Sequence, residues 1–324
     1  MSRAILITGA TGQQGGTVLR ALVARQPSDF LLLAVTRNTQ SPSARRLASK
    51  YPSVKLVEGD LNNVPSLFKS ARKVAGLVPL WGVYSVQVSM GSGVTLEGEV
   101  QQGKAIIDES IKTGVRHFVY GSVERGGNDR SWENPTPVPH FKTKHEIEHY
   151  LRDSTNSSTQ TDGKKNPTTG RTATNKMGWT ILRPTIFMDN LAPGFAGKVF
   201  LTMLRDAIKD KPLQWVATRD IGLFAAEVFH NPEAWNQKAI GLAGDELTFA
   251  ELDLAFQKVT GSPVPTTVGI LGKALKHGVS EMGSMVEWFL REGYDADLGK
   301  NKRVMPNMTT MEAWLKESAF MKLK

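Results

Sequence analysis

The sequence predicts an α/β fold, a Rossmann-type doubly wound parallel sheet with a smaller C-terminal α/β domain. Two observations carry the prediction. Short β-rich apolar runs alternate with helical patterns as far as Pro184, the βαβ rhythm of a parallel sheet whose crossovers are helices. A glycine-rich turn, ITGATGQQGG, directly follows the first apolar run and opens a helix.

In order, the strands are AILIT, FLLLAVT, VKLVEGD, GLVPLWGVYSV, HFVYGSV and WTILRP. Between them run helices at TVLRALVAR, over a polar stretch after AVTRN, after VEGD, from Val100 to Thr113, and through PHFKTKHEIEHYLRD. From Ser154 to Gly178 the chain is rich in Ser, Thr, Asn, Gly and Lys and almost lacks apolar residues, which reads as a flexible surface insertion. Beyond Pro184 the periodicity is mixed, with helices at Val199–Ile208, Phe249–Val259 and Ser284–Arg291. The expected division is a cofactor-binding Rossmann domain over 1–186, carrying the insertion at 154–178, and a smaller substrate or lid domain over 187–324. The two are expected to interleave around 216–244.

Composition narrows the class. A chain of 324 residues with 40% hydrophobic content can bury a full core. No apolar run reaches the roughly 18 to 20 residues that span a bilayer, and MSRAILITGATG reads as a strand and turn rather than a signal peptide. The expected location is the cytoplasm, with the nucleus as the alternative. With no cysteine there is no disulfide, thiol nucleophile or thiolate metal site. A net charge of +9 suits anionic ligands such as phosphorylated cofactors, while the absence of a basic stripe with interleaved aromatics argues against direct nucleic-acid binding. Oligomeric state is left open.

The strongest chemical signal is the glycine turn. Gly9, Gly12 and Gly15, with Thr11, Gln13 and Gln14 between them, stand where a strand hands over to a helix, and there backbone amides can approach a pyrophosphate. The second strand ends in AVTRN. An NAD-binding chain carries Asp or Glu there for the ribose 2′-hydroxyl, whereas here Arg37 is positioned to clamp a 2′-phosphate, so NADP(H) is the expected cofactor. The third strand ends in EGDL. Asp60, followed by Leu61, either accepts the adenine amino group or caps the next helix.

Taken in order, ITGATGQQGG, AVTRN, VEGDLNN, HFVYGSVERGG, PHFKTKHEIEHYL, WTILRPTIFMDN, TRDIGLFAAEVF and IGLAGDELTFAEL resemble the NmrA-like family, atypical members of the short-chain dehydrogenase/reductases. The resemblance covers nearly the whole chain. It implies a Rossmann domain, a smaller C-terminal domain and NADP(H) binding, and it implies either of two functions. One is an NADPH-dependent oxidoreductase reducing a small apolar carbonyl, enone or quinone; the other is a catalytically silent NADP(H)-sensing regulator acting through protein partners in transcriptional control.

The stretch HEIEH, His145 to His149, also matches the H-E-x-x-H pattern of zinc proteases. Helical geometry argues against that reading. At about 100° per residue from Lys144, Ile147, Tyr150 and Leu151 fall at about −60°, −120° and −20° and form a buried stripe that Lys144 borders, whereas His145 and His149 fall at about +100° and +140° and are expected to face solvent. A catalytic zinc also needs a third protein ligand, and no Asp, Glu or His occurs from Gly163 to Met188. No metal site is expected.

The same helix carries His140 and Lys144 at i,i+4. In the resembled superfamily a Tyr-x-x-x-Lys pair works beside the nicotinamide, and His140 here replaces the Tyr. The resemblance thus casts His140 as proton donor and Lys144 as ribose ligand or acid, against the plainer alternative in which His140 caps the helix and Lys144 only grips ribose. Ser122 resembles the superfamily's carbonyl-polarising hydroxyl, or else simply closes its strand. Trp81, Trp132, Phe187, Met188 and Trp288 are candidate walls of an apolar substrate pocket, against the plainer alternative in which each is core or ordinary contact surface.

Overall fold

The computed structural model describes residues 3–25, 29–89, 91, 93–157, 176–208, 210–268 and 280–323. One sheet has seven strands in the order β3-β2-β1-β4-β5-β6-β9, with β1 Arg3–Ile7, β2 Phe30–Thr36, β3 Lys55–Glu58, β4 Leu80–Ser85, β5 His117–Gly121, β6 Gly178–Pro184 and β9 Lys238–Leu242. The pairings from β3 through β6 are parallel. The order reverses between β1 and β4, and this doubly wound α/β arrangement is the predicted class. A second sheet joins β7 Ile186–Phe187, β8 Leu213–Val216 and β10 Asp245–Leu247 in the order β10-β8-β7.

The helices that matter to the site are α1 Gln13–Ala24, α2 Pro42–Lys50, α3 Val64–Ala75, α4 Leu96–Lys112, α5 Arg130–Glu133 and α6 Pro139–Ser157. Several depart from the sequence expectation at their ends. α4 starts at Leu96, earlier than Val100, because the Thr95 hydroxyl accepts from Gly98 N–H at 3.0 Å and Glu97 and Glu99 favour the first turn. α6 runs on to Ser157, so residues 154–157 are helix rather than the start of an insertion. There Thr155 Oγ1 returns its proton to the Leu151 carbonyl at 2.8 Å. At the other end of the expected flexible segment Met177 is buried and Gly178 already begins β6, while 158–175 lie outside the described residues. Among the described residues no helix is long and apolar enough to cross a membrane.

The chain divides into two compact units. The first comprises Met1–Ser122, Glu146–Leu182 and Gly222–Ala239. Its core is the sheet interior, where β1 is buried from Ala4 to Ile7 and β5 throughout, as strands covered on both faces must be. The second comprises Val123–His145, Arg183–Ile221 and Ile240–Lys324. Its core gathers Phe141, Met188, Trp215, Phe256, Trp288 and Phe289 around aliphatic neighbours. Two of the proposed pocket walls are therefore interior packing: Met188 is fully buried there, and Trp288 sits edge-on to Phe141 and Tyr294.

Trp81 is a third correction. It is the second residue of β4, at the amino end of the parallel strands and opposite the glycine turn. It stacks on Phe30 and His117, with the Arg3 guanidinium 4.5 Å from its ring, a cation–π contact that closes this end of the sheet. His117 is buried, and its Nε2 donates to Thr180 Oγ1 at 2.9 Å because that hydroxyl gives its own proton to the Trp235 carbonyl at 2.8 Å. Burial in this apolar layer disfavours the imidazolium and lowers the His117 pKa from 6.5 to about 4.

That shift has a signed consequence for stability. Below pH 6.5 the unfolded chain binds a proton that folded His117 refuses until pH 4, so folding stability falls as the pH drops through this window. The loss attributable to His117 is about 3 kcal/mol over the whole window. In urea titrations from pH 7 to pH 4, the stability of the wild type relative to His117→Gln should decline by that amount. A difference that stays constant would show that His117 does not carry the effect.

Candidate functional site

The carboxyl end of the first unit's sheet is built around the turn after β1. Gly9 has φ +60°, a left-handed conformation that glycine adopts without steric penalty, and its carbonyl accepts from Gly12 N–H at 2.9 Å. A Cβ built on Gly15 would overlap the Thr8 carbonyl oxygen, so only glycine lets α1 press its backbone against the end of β1. Gly12 is the N-cap of α1, with no side-chain acceptor on the first-turn amides and no acid in that turn. Thr11, Gly12 and Gln13 are exposed at this open helix N-terminus, an anion-binding arrangement. Thr8 Oγ1 donates to the Val86 carbonyl at 3.0 Å and accepts its N–H at 2.8 Å, tying the turn to the segment after β4. Gln14 turns inward, its carboxamide oxygen accepting from Tyr84 at 3.3 Å, which leaves its backbone amide as its donor in the first turn. Burial raises the Tyr84 phenol above its ordinary range.

Two further strand ends flank the turn. Arg37 follows β2 directly and is exposed, and no acid stands at the end of that strand. The loop behind it is cross-braced: Thr36 Oγ1 accepts from Asn38 N–H at 3.3 Å, Asn38 Oδ1 from Gln40 N–H at 2.8 Å, and Ser41 caps α2 through Ala44 N–H at 3.3 Å. Glu58, the last residue of β3, accepts from both Thr39 N–H and Thr39 Oγ1, and these bonds hold its pKa below the usual glutamate value. Asp60 Oδ1 accepts from Asn62 N–H at 2.8 Å, so the capping role anticipated for it is present, at the start of a short 3₁₀ turn that opens with half-buried Leu61.

Ser122 follows β5 at the same end of the sheet, but its hydroxyl donates inward to the Glu148 carboxylate, and both groups are buried. A hydroxyl has one proton, so this one is committed to Glu148 rather than offered to a ligand. Sequence reasoning missed Glu148. The angular signal was weak, because Glu148 lies at about +40° from Lys144 on the helical wheel, midway between Leu151 of the buried stripe and His145.

In the second unit, His140 and Lys144 lie in the first turns of α6 and are both buried, with relative exposures of 9% and 6%. The border position predicted for Lys144 is the one it takes. Pro139 is the first residue of α6, and the Val138 carbonyl accepts from Phe141 and Lys142 N–H at 3.0 and 3.1 Å. His140 is therefore inside the first turn and is not its cap. Its ring meets Phe141 edge-on at 4.6 Å, and its carbonyl accepts from Thr143 Oγ1. Trp132 and Phe187 are half-buried, and Trp132 carries the Arg183 guanidinium 4.5 Å from its ring.

The HEIEH residues have other partners. His145 Nε2 donates to the Trp132 carbonyl at 3.0 Å, His149 Nδ1 accepts from Arg152 at 3.0 Å, and exposed Glu146 pairs with Lys104 at 2.6 Å. Both histidines are half-buried rather than solvent-facing, His145 against the Trp132 carbonyl and His149 against the Arg152 side chain of its own helix. Among the described residues no group of three or more His, Cys, Asp or Glu side chains could hold a metal ion.

Comparison with known proteins agrees with this architecture. The NmrA-like family model matches residues 1–162 and 171–315. An NmrA-like family domain-containing oxidoreductase of Aspergillus hancockii is 28% identical over 273 residues, covering 80% of this chain and 73% of that protein. Among solved structures, NmrA, a negative transcriptional regulator in complex with NADP, superposes with a TM-score of 0.66 at 17% identity, covering 98% of this chain and 95% of that one. The Citrobacter sp. triphenylmethane reductase complexed with NADP(H) gives 0.66 at 19% identity, covering 98% and 99%. With its motifs in family order, its doubly wound sheet and a family model matched across most of its length, the chain belongs to the NmrA-like family.

Proposed function

We propose that this chain binds NADP(H) and is an NADPH-dependent oxidoreductase that reduces a small apolar carbonyl, enone or quinone. The observation that carries the cofactor reading is the cradle after β1, where a Cβ on Gly15 would collide with Thr8 and the first turn of α1 is left uncapped. In it, the amides of Gln13, Gln14 and Gly15 would hold the pyrophosphate, with Gly9, Thr11 and Gly12 shaping the turn. Arg37 would hold the 2′-phosphate, and Asp60 and Leu61 would border the adenine. The bound dinucleotide would supply a hydride equivalent.

His140 and Lys144 are the chain's own candidates for the accompanying proton and for gripping the ribose. Ser122 is reassigned from carbonyl donor to an internal role, because its proton belongs to Glu148. That same bond favours a second reading, in which the chain binds the dinucleotide without turnover and reports its state to a protein partner. Such a sensor must bind its partner differently in its two ligand states. NADPH oxidation across a panel of quinones, enones and aromatic carbonyls separates the two readings. Turnover above background supports the enzyme, whereas tight NADP(H) binding with no turnover supports the sensor.

Two substitutions test the residues. A charge-assisted bidentate contact is worth about 1.5 to 3 kcal/mol, so Arg37→Ala should weaken NADPH binding by roughly tenfold to a hundredfold in calorimetric titration and leave NADH nearly unchanged. Equal losses for both dinucleotides would remove Arg37 from the phosphate site. Removal of a positioned general acid costs about 10² to 10⁴ in rate. Lys144→Met should therefore collapse turnover and weaken cofactor binding together, while His140→Phe should lower kcat with little change in NADPH affinity. Unchanged steady-state rates in both variants would defeat the assigned roles.

A further inference from the structure

We propose that Thr39 and Glu58 together set the dinucleotide preference of the site, Thr39 holding the Glu58 carboxylate within the loop's own hydrogen bonds so that Arg37 is the group offered to the ribose. The inference rests on the NADP(H) reading above. Dinucleotide sites that select a ribose 2′-hydroxyl do so with an acid at the end of the second strand. Here that strand ends in Thr36 and Arg37, and the acid lies one strand over. Glu58 closes β3 in direct register with Thr36, and neighbouring parallel strands lie about 4.8 Å apart. The Glu58 side chain is exposed. A carboxylate at this place could accept from a 2′-hydroxyl and would repel a 2′-phosphate, both of which favour the unphosphorylated dinucleotide.

Thr39 counters both effects. Its N–H and its hydroxyl converge on Glu58 Oε2 at 3.1 and 2.9 Å, fixing the carboxylate's orientation and offsetting part of its charge. The other polar residues of the loop brace one another in the same way: Ser41 N–H donates to the Asn38 carbonyl at 3.2 Å, and Arg45 donates to Gln40 Oε1 at 2.8 Å. Arg37 takes no part in this network and projects from a loop whose shape is already determined, which lowers the ordering cost of binding. Preference at this site is thus a contest between one cation and one carboxylate, and the Thr39 hydroxyl decides it.

The test is direct binding of NADPH and of NADH, titrated separately against wild type, Thr39→Val, Glu58→Gln and the double variant. Valine keeps the shape of threonine and removes only the hydroxyl donor. In Thr39→Val the ratio of NADPH to NADH affinity should fall by about tenfold, the size expected for one charge-assisted hydrogen bond at an exposed site. Glu58→Gln should hold or raise the preference for NADPH, and the double variant should not fall more than about threefold below wild type, because the carboxylate that opposes the phosphate is gone. An unmoved ratio in Thr39→Val overturns the proposal, as does a double variant as impaired as Thr39→Val alone, which would mean that threonine only shapes the loop. A wild type that binds neither dinucleotide defeats the cofactor reading and this inference with it. A wild type that prefers NADPH, with an unmoved ratio in Thr39→Val, defeats this inference alone.

Discussion

The contact on which the rest of the first unit depends is backbone against backbone, where the first turn of α1 lies on the last residues of β1 at Gly15. No side chain can intervene there, because any Cβ would enter the space of the Thr8 carbonyl. Several features follow from that approach. The helix N-terminus is aimed at the carboxyl end of the sheet, its amides stay uncapped, and Thr8 is placed to bridge to Val86 across the neighbouring strand end. A second close approach lies on a different side of the same helix, since a Cβ on Gly222 would overlap the Thr17 carbonyl oxygen. Two glycines distant in sequence thus set how closely α1 is packed, and glycine is used where close approach outweighs the loss of helix propensity.

Around this frame the chain buries charge, and each buried charge is given partners. In the first unit, Glu148 receives the Ser122 hydroxyl. In the second, the Glu124 carboxylate accepts from Gly126, Gly127 and Asp295 N–H, while Arg125 donates to the carbonyls of Val123, Ser131 and Asn134. An unpaired buried charge would cost on the order of several kcal/mol, and these bonds let Glu124 and Arg125 lie buried while Gly126 and Gly127 beside them are half-buried. Tyr294, buried beside them, has its phenol pushed well above the normal range by burial and then by the negative charge of Glu124. The ERGG stretch after β5 therefore reads as polar and loop-like in sequence, yet its two charged residues are buried.

The HEIEH stretch shows how a motif and a helix can share residues without sharing a function. Five consecutive letters suggest a zinc protease, but in α6 they are divided among different surroundings: Ile147 and Glu148 inward, Glu146 outward to Lys104, and the histidines at half-buried flanks with Trp132 and Arg152 as partners. The helical wheel read the direction of Ile147 and Lys144 correctly. It misjudged the histidines, because a wheel gives only the direction of each side chain and omits both the Trp132 carbonyl that meets His145 and the Arg152 side chain of the same helix that folds back onto His149.

What the sequence by itself determined was whatever is local and periodic. FLLLAVT pairs apolar content with β propensity and is β2 to the residue, the other runs hold strands with ends shifted by one or more residues, and ITGATGQQGG holds both a left-handed Gly9 and a helix start, since these depend only on neighbouring residues. The absence of an acid after β2 was likewise visible, and so was the placing of Lys144 at the edge of the core. Only the tertiary structure decided the rest. It brought Glu58 beside Thr39, gave the proton of Ser122 to Glu148, moved Trp81 to the far end of the sheet from the glycine turn, and drew Met188 and Trp288 into a core. The physical reason is that a hydrogen bond or an aromatic contact is a relation between groups, and the partners lie 19 residues apart for Thr39 and Glu58, 26 for Ser122 and Glu148, and on different strands for Trp81 and His117, so no local pattern records them. A single strand shows which faces are apolar; it does not show which polar group waits on the next one.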